Sequence, residues 1–121
     1  NDANNVLPIM DYFVKKLNLK YLAVIHVNEA YGNSFGEAML KLRDHFEDAP
    51  FIRRFVIDSS GDTIGSTLKK LKDSQLTYVL AIMPNRDFYD KLMTAAFEEK
   101  MAGSTEVPYQ WYFSDSFRIR K

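Results

Sequence analysis

Tyr21-Leu22-Ala23-Val24-Ile25-His26-Val27-Asn28-Glu29-Ala30-Tyr31-Gly32-Asn33-Ser34-Phe35-Gly36-Glu37 decides how this chain folds. Residues 21–27 are nearly all apolar and read as a buried β-strand. Residues 28–33 read as a tight polar loop. Ser34 then opens a helix, with Glu37 three residues on as the partner of a capping box. A strand feeding a helix through a short polar loop is half of a βαβ unit. That loop leaves the carboxyl end of the strand, where open α/β sheets bind their ligands. Tyr31 and Gly32 stand at this edge and are the first candidates for function.

The rest of the chain continues the alternation. Before the strand, Val6, Ile9, Met10, Phe13, Val14 and Leu17 recur at helical spacing and predict a helix over 5–17, with Pro8 in its first turn. After it, Phe35, Ala38, Met39, Leu42 and Phe46 form the inward stripe of a helix over 34–48. A second strand is expected at 51–57. Its Arg53 and Arg54 suit a sheet edge, where charge discourages further pairing. A helix over 63–73 follows, capped by Asp62 or Thr63, with Ile64, Leu68 and Leu71 inward. Thr77 to Met83 is apolar on both faces, as a central parallel strand requires. A fourth helix over 86–101 buries Phe88, Leu92, Ala95, Ala96 and Met101. Tyr109 to Phe113 makes a fourth strand, with Ser114 and Asp115 at its carboxyl end.

This order predicts an α/β fold, a three-layer α/β/α sandwich around a parallel sheet. Right-handed crossovers and an edge-like second strand give the strand order 2-1-3-4. The first two helices then share one face and the last two the other. The winding reverses between strands one and three, so the crevice lies between the loops at 28–33 and 84–87. Ser114 and Asp115 emerge on the same edge.

At 121 residues the chain is one domain, large enough to bury a core. Sixteen basic and sixteen acidic residues give no net charge, which argues against a nucleic-acid partner. With no cysteine there is no disulfide, thiolate metal site or cysteine nucleophile. No apolar run reaches the roughly 18 residues of a membrane span. The chain opens at Asn1 and stops at Arg118-Ile119-Arg120-Lys121. We therefore expect a piece of a longer protein, with 118–121 a hinge or tail remnant.

Several chemistries fit the residues poorly. A dinucleotide site needs G-x-G-x-x-G after the first strand, and only Gly32 and Gly36 are present. A phosphoacceptor module needs acids after strand one and an aspartate after strand three. Here Glu29 stands alone, Pro84 and Asn85 follow strand three, and Asp58 follows strand two. His26 and His45 lack metal-ligand spacing, and no Ser/His/Asp arrangement can be built. Tyr31 has two readings, a cover for the sheet edge or a binding residue. The binding reading has a mechanism. Tyr31 offers a flat apolar face and a hydroxyl, Asp115 a carboxylate for a cationic group, and Ser34 with its helix start donors for an anion. A zwitterion matches that set.

Residues 21–36 also resemble the strand, polar loop, Tyr-Gly and helix signature of the type I periplasmic-binding-protein superfamily. The nearest kin are the receptor ligand-binding regions shared by natriuretic peptide receptors, class C G-protein-coupled receptors and branched-chain amino-acid binding proteins. Leu68 to Ser74, Ala95-Ala96, Met101-Ala102-Gly103 and Trp111-Tyr112-Phe113-Ser114-Asp115 extend the resemblance over residues 8–117. It implies one lobe of two, the second, with the ligand held in a cleft that closes like a trap. In amino-acid-binding members the position matching Tyr31 packs on the ligand, and that matching Asp115 accepts its α-ammonium. Phe117 stands where a Trp is frequent, and the cysteines of many animal receptors are absent. The first lobe, which grips the α-carboxylate, is not in this chain.

The resemblance thus implies a membrane-distal lobe of an extracellular or periplasmic receptor or binding protein, with no catalysis and no cofactor. The candidate ligand-binding residues are Tyr31, Asp115, Ser114, Asn28, Glu29, Asn33 and Asn85. The expected partners are a small molecule, an amino acid first, and the missing first lobe; a peptide ligand and a homodimer stay open. The alternatives are a small α/β enzyme, a phosphoacceptor module using Asp58, or a dimerisation lobe without ligand.

Overall fold

The computed structural model describes residues 2–103 and 105–117. The expectations for 118–121 and for the Phe117 side chain lie outside what it describes. The chain begins with α1 (Asp2–Asp11), which runs on as a π turn over Tyr12–Lys16. There the Leu17 N–H reaches back to the Tyr12 carbonyl at 3.1 Å. Then come β1 (Tyr21–Val27), α2 (Ala30–Arg43), β2 (Phe51–Ile57), α3 (Ile64–Ser74), β3 (Tyr78–Ile82), α4 (Arg86–Glu98) and β4 (Gln110–Phe113). A 3-10 turn, Ser114–Phe117, closes the described chain.

The four strands form one all-parallel sheet in the order β2-β1-β3-β4. Side chains alternate across it. Leu22 and Val24 of β1 pack with Val6, Ile9, Met10 and Phe13 of the first helix and Phe35 and Met39 of α2. Ala23, Ile25 and Val27 pack with Ile64, Leu68 and Leu71 of α3 and Leu92 and Ala96 of α4. The two cores lie on opposite faces, so the layer assignment holds. β1 is buried from Leu22 to Val27 because it has helices on both faces and strands on both sides.

The two arginines of β2, an edge strand, point to opposite faces. The Arg53 guanidinium lies 4.9 Å from the centre of the Phe55 ring. Arg54 points to the other face and inward, towards His26.

Two helix starts differ from the sequence reading. The first helix begins at Asp2, so Pro8 lies inside it and not in its first turn. α2 begins at Ala30, four residues ahead of Ser34. Ser34 is therefore within the helix, and the expected capping box with Glu37 does not form the start. Two helix ends fall early as well. α2 stops at Arg43, α4 at Glu98, and Asp48-Ala49-Pro50 lies in the connection to β2.

Candidate functional site

Glu29 is what sets the start of α2. Its backbone is extended, and its carboxylate accepts the Tyr31 N–H at 2.9 Å and the Gly32 N–H at 2.6 Å. Amides of the first turn have no helical partner and carry partial positive charge, so a carboxylate there satisfies both. Glutamate is a less usual cap than Ser or Asp, which is why Ser34 is the more attractive start by sequence. Glu29→Ala should cost about 1 kcal/mol of stability. Urea unfolding should show it as a lower midpoint with unchanged slope.

The cap moves Tyr31 from a loop into the first turn of a helix. From there its ring meets Phe35 edge-on, centroids 5.7 Å apart. Its hydroxyl lies 3.2 Å from Ser114 Oγ, at the end of β4. Ser114 is buried and is shared with a second tyrosine, Tyr89 of α4, at 3.1 Å. Tyr89 also donates to the Ala81 carbonyl of β3 at 3.3 Å. A phenol has one proton. With that proton on Ala81, Ser114 must donate to Tyr89 and Tyr31 must donate to Ser114. The hydroxyls form a directed chain, Tyr31 to Ser114 to Tyr89 to the backbone of β3. Burial pushes the Tyr89 phenol above its ordinary range, and the nearby Asp115 and Tyr31 add to the shift against the hydrogen bonds from Ser114 and Met83.

Tyr31, Ser114 and Asp115 are thus brought to one place, at the carboxyl ends of the strands and beside the reversal of winding between β1 and β3. Ser114 is enclosed while Asp115, next to it, is exposed. Tyr89 belongs to the same cluster and is not among the sequence candidates. Its neighbour Phe88 is the expected inward residue, but both are partly buried. A tyrosine one turn into the helix after the central strand was the available signal.

The other candidates have structural roles. Asn28 Oδ1 accepts from Asn33 Nδ2 at 2.9 Å, which ties the loop to the helix it precedes. Glu29 is the cap described above. Asn85 caps α4, accepting the Phe88 N–H at 2.9 Å. Asp58, relevant to a phosphoacceptor, accepts from Ser60 at 2.8 Å and from the Thr63 backbone at 3.3 Å. The Ser60 hydroxyl, ahead of Thr63 and Gly61, holds its carboxyl below the ordinary value.

No known family model matches this chain, and no curated protein does either. The cluster therefore stands on its geometry. Among the described residues no group of His, Cys, Asp and Glu is placed to hold a metal. No described helix is long and apolar enough to cross a membrane. A surface groove of about 930 Å³ lies at the opposite, amino edge of the sheet, lined by Lys72, Phe97, Val107 and Tyr109 among others. The sequence reading does not anticipate it.

Proposed function

We propose that this chain is one ligand-binding lobe of an extracellular or periplasmic receptor or solute-binding protein. It takes a small polar ligand, an amino acid first, by closing against a second lobe. One observation supports this above others. Tyr31, Ser114, Tyr89 and Asp115 gather at the carboxyl edge of a parallel sheet, where open α/β folds receive ligands. The Tyr31 ring is the apolar face for the ligand body. Asp115 is the carboxylate for its ammonium group. Ser114 and Tyr89 hold the Tyr31 hydroxyl from behind, so the ring is oriented before the ligand arrives. Binding shifts an open–closed equilibrium towards the closed form.

The test is a thermal-shift screen of the two-lobed parent protein against amino acids and small carboxylates. A ligand at 100 times its Kd should stabilise by about 2.7 kcal/mol. Tyr31→Ala and Asp115→Ala should each abolish that shift and leave the lobe folded. Unchanged affinity in both variants would overturn the assignment. The single chain should bind weakly, and tight binding by it alone would contradict closure between lobes.

A further inference from the structure

We propose that His26 is a proton-operated latch: neutral, it fastens Arg54 of β2 beneath the first two turns of α2; protonated, it releases Arg54 and loosens the helix end that carries Tyr31. His26 is completely buried, on the α1/α2 face of β1. Its neighbours in register are Val56 of β2 and Ile82 of β3, both apolar.

The protonation state follows from the hydrogen bonds. Arg54 Nε donates to His26 Nε2 at 3.1 Å. A guanidinium has donors only and keeps its charge. His26 Nε2 must therefore carry a lone pair. The single ring proton sits on Nδ1, 3.0 Å from the Val27 carbonyl, and is donated to it. Both ring nitrogens are satisfied, but in the neutral ring alone. A proton on Nε2 would set N–H against N–H and cation against cation. One of the two side chains must then move.

Two glycines carry that movement to α2. A Cβ on Gly36 would stand 2.8 Å from Arg54 Nε. A Cβ on Gly32 would stand 3.0 Å from His26 Nδ1 and 2.5 Å from the Val27 carbonyl oxygen. The helix thus rests directly on the His26–Arg54 pair, with no side chain between. The charged groups acting on His26 are Arg54 from β2 and Glu29 from the β1–α2 connection. Glu29 is the cap of the Tyr31 and Gly32 amides. An imidazolium would draw that carboxylate from its cap, in the same direction as the loss of Arg54.

Acid is the trigger. Burial, the largest cause, and the Arg54 charge hold His26 below its ordinary 6.5, against the Val27 carbonyl and Glu29. The unfolded chain takes up this proton near 6.5 and the folded chain at lower pH. The latch's contribution to stability is then intact above 6.5 and is lost as pH falls through the interval between the two values. The latch does not depend on the ligand reading; its effect on a ligand at Tyr31 rests on that reading.

NMR titration of the ligand-free chain tests it. Above pH 7, nitrogen correlations should show the Nδ1–H tautomer of His26. His26 should titrate below 6.5, and the Tyr31 and Gly32 amides should move with its midpoint. His26→Gln, which keeps an acceptor for Arg54, should abolish that movement. Arg54→Met should raise the His26 midpoint, and it decides the matter should His26→Gln not fold. An Nε2–H tautomer, a midpoint at or above 6.5, or amides that still move in His26→Gln would overturn the latch. A ligand screen that fails beside the expected titration removes the ligand reading and leaves the latch standing.

Discussion

Phe35→Ala should destabilise the fold by about 3–5 kcal/mol. Phe35 is 1 % exposed and sits in the core between α1, α2 and the sheet, with Phe13, Leu22 and Met39. Removing the ring takes away its transfer energy and leaves a cavity that a sheet and two helices cannot collapse to fill. For a domain of this size the melting temperature should fall by roughly 10–20 °C. Thermal unfolding followed by circular dichroism would measure it. The ring also meets Tyr31 edge-on, so the loss reaches the site. A fall of less than about 1 kcal/mol would show that α2 packs differently from this description.

Gly32→Ala should cost about 1–3 kcal/mol, and Gly32→Val more. A substitution of Gly by Ala in a helix ordinarily stabilises it by about 1 kcal/mol, so the sign is reversed here. The new Cβ would be 2.5 Å from the Val27 carbonyl oxygen. That atom belongs to β1, which is held by β2 and β3 on either side and cannot yield. The helix must lift instead, which strains the Glu29 cap and draws Tyr31 from Ser114. Denaturant unfolding would show the cost. A neutral or stabilising result would mean that α2 does not touch the end of β1.

Glycine at position 32 also marks what could be read from the sequence and what could not. Strand order 2-1-3-4 followed from alternation, from the arginines of β2 and from the handedness of crossovers. These are period and chirality arguments, and they do not depend on any single contact. The start of α2 did depend on one. Ser34 and Glu37 made a good local capping pair, but Glu29 lies where the chain leaves β1 and satisfies two amides at once. Position in the fold overrode propensity. The same holds for the site. Tyr31, Ser114 and Asp115 were legible because topology puts the ends of β1 and β4 on one edge. Tyr89 was not, because its role depends on a hydroxyl meeting Ser114 from another helix. Asn85 and Glu29 were polar residues at the right edge, and their oxygens serve backbone amides. The role of His26 was not legible, since nothing local foretells that Arg54, 28 residues on, will reach its ring.

The central place of β1 has a consequence for how the chain is made. β1 pairs with β2 on one side and β3 on the other, and both partners are synthesised after it. Until Ile82 has left the ribosome, a strand buried from Leu22 to Val27 in the finished fold has an open edge. The nascent chain must therefore carry Leu22 to Val27 for some sixty residues of synthesis before the sheet can close around them. Folding of this domain should come late in the domain's own synthesis, triggered by β3, and a stall before residue 78 should leave an aggregation-prone intermediate.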